Sequence, residues 1–108
     1  MDDAFEERRK KNEEKWAHDA ELRFRVGARR NKLLGLWAAG ELALKGAAAE
    51  DYAKAVVAAE LRGADQVFRK IRGDFDVAGL SHSDHAIERQ MVEFLAVAAD
   101  QIMHETNR

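Results

Sequence analysis

The sequence predicts an all-α fold, a four-helix bundle with a long first helix whose N-terminal arm projects or is disordered when the protein is free. Three observations predict this fold class. The 108-residue chain contains no proline, residues of high helix propensity are abundant, and apolar side chains recur at helical spacing in four successive segments. Because short connections join these segments, sequential helices are expected to be antiparallel neighbours.

The first helical pattern is centred on residues 15–39 and puts its apolar side chains within an arc of about 60°. We expect one buried stripe formed by Leu22, Val26, Leu33, Trp37 and Leu44. Glycine inside a helix costs up to ~1 kcal/mol relative to alanine. Of the glycines in this pattern, Gly27 is therefore the expected place for the helix to bend or fray.

Three further helices follow, each after a glycine that is expected to cap the preceding helix in the left-handed conformation. These glycines are Gly46, Gly63 and Gly79. The second helix covers about residues 47–62, with a buried face of Ala48, Tyr52, Ala55, Val56 and Ala59. The third begins near a candidate N-cap, Asp65, and aligns Val67, Phe68, Ile71, Phe75 and Ala78. The fourth begins at a cap formed by Ser81 or Ser83 and aligns Ile87, Met91, Phe94, Leu95, Ala98 and Ile102.

The first helical pattern is longer than the bundle against which its apolar side chains could be buried. Continued back to Asp2 as a charged helix, it would be over ~60 Å long, against about 25 Å for the second helix, at a rise of ~1.5 Å per residue. We therefore divide the chain into a mobile arm, residues 1–18, and a bundle, residues 19–108.

The arm alternates acidic and basic blocks, whose ion pairs would each add about 0.2–0.5 kcal/mol to an isolated helix. Phe5 and Trp16 share one face of that helix, and we expect them to anchor the arm if it folds on a partner protein. A solvated charged tail is the alternative. Phe24 lies opposite the buried stripe and could extend the contact. The candidate partner-binding residues are Phe5, Arg8, Arg9, Lys10, Lys11, Trp16 and Phe24.

Composition limits the class of function. The formal net charge of −2 gives no general attraction to nucleic acid or to an anionic membrane. The absence of cysteine excludes thiol catalysis, thiolate metal sites and disulfides. No run of ~18 apolar residues occurs. We expect a cytoplasmic protein that is monomeric when free, with no nucleic-acid partner and no direct membrane insertion.

Residues that could support chemistry are few. Arg29, Arg30 and Lys32 could bind an anionic ligand, although we expect Arg29 to reach an acidic neighbour while its stem covers the core. His82, His85 and Glu88 have the spacing of metal ligands, but histidines exposed in a helix cap are the more common explanation. The chain has no phosphate-binding loop and no catalytic triad. We expect no catalytic residue, no metal and no required cofactor.

Three stretches of the chain carry a family resemblance: WAHDAELRFRVGARRNKLLGLWAAGEL, VFRKIRGDFDVAG and IERQMVEFLAVAADQI. They resemble the zeta subunit family, natural inhibitors of alphaproteobacterial F-type ATP synthases. The resemblance implies a four-helix bundle with a mobile inhibitory N-terminal segment. In inhibitory members this segment inserts between alpha and beta subunits near the gamma shaft and blocks rotation in the hydrolytic direction. Some members bind adenine nucleotide, which implies ATP or ADP binding. Arg29, Arg30 and Lys32, the candidate anion-binding residues, are the candidate nucleotide-binding site.

The sequence thus predicts a non-enzymatic regulatory subunit that binds the alpha, beta and gamma subunits of the catalytic head. Through them it would be peripheral to the inner membrane. Two alternatives stay open: a nucleotide-binding helical regulator that does not inhibit, and a generic helical adaptor.

Overall fold

The computed structural model describes residues 7, 10, 11, 14 and 18–106 of the chain. Within residues 18–106 it contains four α-helices and no β-strand, which confirms the predicted all-α bundle. The helices are α1, Ala20–Glu41; α2, Gly46–Ala59; α3, Gln66–Val77; and α4, Asp84–Thr106. A single 3₁₀ turn, Glu60–Arg62, extends α2.

The start of α1 is fixed by Asp19. Its backbone is extended, and its carboxylate accepts a hydrogen bond from the Leu22 N–H at 3.1 Å, which satisfies one of the N–H groups left free at a helix start. His18, just before it, lies in a turn. Any helix before residue 18 is therefore not continuous with α1, because the backbone is not helical at His18 and Asp19.

Gly27 lies within the unbroken α1, so the helix does not fray at this glycine, contrary to the prediction. Val26, beside it, is fully buried against Ala98, Ala99 and Ile102 of α4. Burying a valine side chain stabilises by about 1.5–3 kcal/mol. That packing outweighs the small helical penalty of the glycine.

The end of α1 forms a Schellman motif. The Leu44 N–H donates to the Ala39 carbonyl at 2.9 Å and the Ala43 N–H donates to the Gly40 carbonyl at 3.0 Å. The motif requires a left-handed residue, and Ala43 occupies that position with φ of +63°. The predicted cap, Gly46, has φ of +57° but begins α2 instead. Gly79 has φ of +74° and caps α3 as predicted, with the Leu80 N–H donating to the Phe75 carbonyl.

Helix α1 is central, because α2 packs along one side of it and α4 along the other. Because α1 is packed on two sides, it buries a wider arc of its surface than the single stripe that the sequence predicts. Of the predicted stripe, Val26 alone is fully buried, and the other four side chains are partly exposed. The buried residues of α1 are Val26, Asn31, Leu34, Gly35, Ala38 and Ala39.

The contact between α1 and α2 depends on small residues. A methyl group added to Gly35 would lie 2.7 Å from the Ala53 Cα and 3.1 Å from the Val56 Cβ. Only glycine permits this approach of the two backbones. The closeness rotates α2 so that Ala53, Val56 and Ala59 are buried while Ala48 and Ala55 are exposed. The predicted inward positions of Ala48 and Ala55 are therefore wrong.

Helices α3 and α4 close the bundle. Phe75 and Ile71 of α3 and Ile87 of α4 pack with Leu34 and Val56 in one buried cluster to which all four helices contribute. The predicted faces of α3 and α4 agree with this packing, apart from Ala78, which is exposed.

The caps of these two helices differ from each other. Ser83 caps α4, since its hydroxyl accepts from the Ala86 N–H at 3.1 Å. Asp65 precedes α3 without a side-chain cap hydrogen bond, so its predicted capping role is wrong. Its carboxylate pairs with Arg69 at 2.9 Å instead.

A polar contact joins α2 to α3 at the edge of the core. The Tyr52 hydroxyl donates to the Asp74 carboxylate at 2.7 Å, and Lys70 donates to the same oxygen at 3.1 Å. The Lys70 ammonium also lies 4.9 Å from the centre of the Tyr52 ring. Burial, and next the hydrogen bond to Asp74, raise the pKa of the Tyr52 phenol far above its ordinary value, because both disfavour the phenolate.

The Ala43→Gly variant is expected to be more stable than the wild type by roughly 0.5–1 kcal/mol. A left-handed alanine costs about 1–2 kcal/mol, part of which is offset by the greater freedom of glycine in the unfolded chain. Urea unfolding followed by circular dichroism measures the difference. Gly79→Ala, at the equivalent position after α3, is the matched control and should lose a similar amount. A destabilised Ala43→Gly variant would contradict this account of the cap.

Tyr52→Phe is expected to lower the unfolding free energy at neutral pH by about 0.5–1.5 kcal/mol through loss of a hydrogen bond. Because the folded-state pKa of Tyr52 is raised, its contribution is fully present below the unfolded pKa of about 10 and is lost as pH rises above it. The difference between wild type and variant should therefore shrink when unfolding is measured from about pH 9 to about pH 11. A constant difference across this range would show that Tyr52 is not held in its neutral form.

Candidate partner-binding surface

A groove of about 760 Å³ lies beside the N-terminal half of α1. It arises because α1 has 22 residues and α2 has 14, so the two antiparallel helices cannot cover each other along their whole length. We call it the Phe24 groove. Its apolar lining consists of Ala20, Phe24, Ala28, Val57, Ala58, Leu61 and Leu95.

Two large apolar side chains of this groove face solvent. Phe24 is 73% exposed and Leu61, in the 3₁₀ turn after α2, is 83% exposed. The predicted exposure of Phe24 is confirmed, and its role in partner binding stays a prediction. Leu61 was not singled out in the sequence, where it looks like the last apolar residue of a helix. Large apolar side chains exposed together in one groove are typical of interaction sites.

One wall of the Phe24 groove is polar and tightly hydrogen-bonded. Arg30 Nε donates to Asn31 Oδ1 at 2.7 Å, and Asn31 Nδ2 donates to Glu60 Oε1 at 3.0 Å. Arg30 Nη2 lies 3.7 Å from the same Glu60 oxygen. Burial lowers the pKa of Arg30, and the nearby Glu60 carboxylate partly opposes that shift. Asn31 is 1% exposed, so this network fixes α1 against the end of α2.

The three predicted anion-binding residues point in different directions. Arg29 faces α4, where its guanidinium makes a bidentate pair with the Glu105 carboxylate at 2.8 and 3.1 Å and donates to Gln101 at 2.8 Å. This agrees with the expectation that Arg29 reaches an acidic neighbour. Arg30 faces Glu60 at the end of α2, and Lys32 is exposed. The structure therefore does not bring Arg29 and Arg30 together.

A smaller depression of about 370 Å³ does combine Arg29 with Lys32. Its lining contains three cationic residues, Arg25, Arg29 and Lys32, next to Phe24. The guanidinium of Arg29 is already paired with Glu105, so an anion bound here would have to share or displace that carboxylate. Arg25 was not part of the predicted set, although its spacing from Arg29 is one helical turn.

His82 is not the exposed cap residue that the sequence suggested. Its ring lies between α1 and α3, with its centre 4.8 Å from that of Phe75 and 5.9 Å from that of Trp37. Its Nε2 is 2.7 Å from a Glu41 oxygen. These aromatic contacts hold the loop before α4 against the core. The spacing of residues in the sequence does not predict them. His85 and Glu88 are exposed.

Of the predicted partner-binding residues, four lie outside the described residues, namely Phe5, Arg8, Arg9 and Trp16. Lys10 and Lys11 are described, and both are helical and exposed, as are Glu7 and Glu14. Among the described residues no helix is long and apolar enough to cross a membrane. Across that same part of the chain, no group of three or more acidic or histidine side chains is arranged to hold a metal ion.

A small helical bundle with an exposed apolar groove beside a charged arm is typical of proteins that bind another protein. The comparison with family models agrees: the model described as ATPase inhibitor subunit zeta matches residues 1–101. The chain belongs to this family, which confirms the resemblance found in the sequence. No curated protein matches it individually. The family assigns the chain an inhibitory, regulatory role at ATP synthase, and its match includes the arm.

Proposed function

We propose that this protein binds the catalytic head of F-type ATP synthase and inhibits ATP hydrolysis by inserting its N-terminal arm, residues 1–18, at an interface of the alpha, beta and gamma subunits. The observation that carries the proposal is the family match, which spans residues 1–101 and so includes both arm and bundle. In this proposal the protein is cytoplasmic and is held at the inner membrane only through the synthase.

The fold is compatible with separate roles for the arm and the bundle. Asp19 caps α1 and His18 lies in a turn, so the chain before α1 can change direction without disturbing the bundle. The bundle from Asp19 onward has its own buried core. It can therefore remain folded while the arm occupies a site on another protein.

The energetics of insertion require more than the two aromatic anchors. Burying Phe5 and Trp16 gives about 1.5–3 kcal/mol each, which is comparable to the ordering cost of about 2–5 kcal/mol for a segment that folds on binding. The basic block from Arg8 to Lys11 and the exposed Phe24 would supply the remaining affinity. An arm inserted in an interface that must open and close stabilises one rotational state, and it inhibits only by its preference for that state.

Deleting residues 1–18 is expected to abolish inhibition of ATP hydrolysis by the cognate ATPase, because it removes the inserting element. The measurement is the hydrolysis rate at increasing inhibitor concentration, with the full-length protein as reference. Phe5→Ala/Trp16→Ala is the sharper variant and should weaken inhibition about tenfold or more, since it removes about 3–6 kcal/mol of gross apolar burial.

Circular dichroism and thermal unfolding of both variants provide the control, because an intact bundle excludes loss of inhibition through misfolding. Equal inhibition by the deleted and full-length proteins would remove the arm from the mechanism. Failure of the full-length protein to co-purify with the synthase would favour a generic adaptor instead.

A second candidate function is binding of ATP or ADP, which the cationic depression formed by Arg25, Arg29 and Lys32 favours. Titration with either nucleotide should then shift amide resonances of residues 25–32 and leave those of α3 unchanged. Lys32→Glu should weaken the binding, because the lysine is exposed and its reversal adds repulsion toward phosphate. An unchanged spectrum at millimolar nucleotide would exclude this function.

A further inference from the structure

The Phe24 groove adjoins the smaller depression that contains Arg25 and Lys32. Both are lined by Phe24, Ala28 and Val57, so together they form one surface along the junction of α1 and α2. We call it the α1–α2 surface. It extends over residues 24–32 of α1 and residues 54–61 at the end of α2, each about two helical turns or roughly 11–12 Å long.

The apolar part of the α1–α2 surface combines large exposed side chains with small ones. Phe24 is 73% exposed and Leu61 is 83% exposed. Gly27, Ala28 and Ala58 also line the groove, and their small size leaves room for another backbone to approach. An amphipathic helix binds such a groove through apolar side chains spaced three, four and seven residues apart.

Three cations of the α1–α2 surface have no acidic partner within residues 18–106. Lys54 lines the Phe24 groove, and Arg25 and Lys32 line the depression beside it. All three are exposed, and no described carboxylate pairs with them. The two arginines that lie between Arg25 and Lys32 in α1 are instead held by Glu105 and Glu60.

Charge limits what can cover this surface. Among the described residues that line it, Glu60 is the only acidic one, and it is already bound to Asn31 and Arg30. The surface is therefore locally positive in a chain whose formal net charge is −2. In a symmetric dimer the same surface would meet itself, and repulsion between like charges disfavours that contact.

Nucleic acid fits the surface less well than a protein helix does. Its binding depends on many phosphate contacts from a dense cluster of cations, whereas here three free cations surround an apolar groove. The exposed Phe24 and Leu61 require apolar side chains opposite them. An apolar helix face flanked by carboxylates meets both requirements.

We propose that the α1–α2 surface binds one amphipathic helix of the synthase head, with apolar side chains on Phe24 and Leu61. Acidic residues flanking that helix pair with Arg25, Lys32 and Lys54. The inference rests on the proposed function and adds to it a second contact, made by the bundle instead of the arm. The bundle contact supplies affinity, and the arm blocks rotation. Loss of the bundle contact therefore raises the inhibitor concentration required and leaves the inhibition reached at saturation unchanged.

The test uses the full-length protein and the purified cognate catalytic head. Isothermal titration calorimetry measures the affinity, and ATP hydrolysis is measured over the same range of inhibitor concentration. Leu61→Ala removes an exposed apolar contact. Val92→Ala is its matched control, because Val92 is 67% exposed on α4 and lines neither depression.

A second pair of variants tests the charge. Lys54→Glu reverses a free cation of the surface. Lys45→Glu is its control, because Lys45 is exposed just before α2 and lies outside both depressions. Circular dichroism of all four variants establishes that the bundle is intact.

Leu61→Ala should weaken binding to the head about tenfold. Lys54→Glu should weaken it about three- to tenfold and make it less sensitive to salt, because an attractive charge at the rim becomes repulsive. Both variants should still inhibit fully at saturating concentration. The two control variants should bind as the wild type does.

Wild-type affinity in both Leu61→Ala and Lys54→Glu, with inhibition intact, would overturn the bundle contact and leave the proposed function standing. Binding without inhibition that these two variants weaken would overturn the proposed function and support the bundle contact. No binding of the wild type would overturn both. A dimer in sedimentation velocity that Leu61→Ala dissociates would assign the surface to a second copy instead. Duplex DNA bound as tightly as the head would assign it to nucleic acid, and either result would overturn the proposal.

Discussion

The close approach of α1 and α2 at Gly35 and Ala53 is the constraint on which the rest of the structure depends. With a side chain at position 35 the two backbones could not meet, since the added carbon would lie 2.7 Å from the Ala53 Cα. This contact buries Ala53 and Val56 against α1 and fixes how closely the shorter helix lies along the longer one. The Phe24 groove is the uncovered part of α1 that results.

The same constraint links packing to function. Because α2 ends before it can cover the start of α1, the exposed Phe24 and Leu61 lie next to the junction with the arm at Asp19. The Arg30–Asn31–Glu60 network holds the end of α2 in place and makes the groove a formed surface. The groove lies beside the residue where the charged arm begins. This small bundle therefore has two candidate contact elements, the arm and the groove.

Much of the candidate surface follows from the pattern of the sequence. Phe24 lies opposite the buried positions of α1 and is exposed as expected, because helical geometry fixes that angle locally. Arg29 and Arg30 show the limit of such reasoning. They are neighbours in sequence, but about 100° apart on a helix, and α4 supplies Glu105 to one while the 3₁₀ turn supplies Glu60 to the other. Leu61 joins the groove only because α2 ends beside α1.

The sequence by itself determined the all-α class, the order of four helices and the buried faces of α3 and α4, because hydrophobic periodicity and the absence of proline act locally. Tertiary structure decided which residues of α1 are buried, since a helix packed on two sides has no single stripe. It also decided that Ala43 takes the left-handed cap position and that His82 packs on Phe75. These outcomes depend on neighbours that are distant in the chain, and no local pattern encodes them.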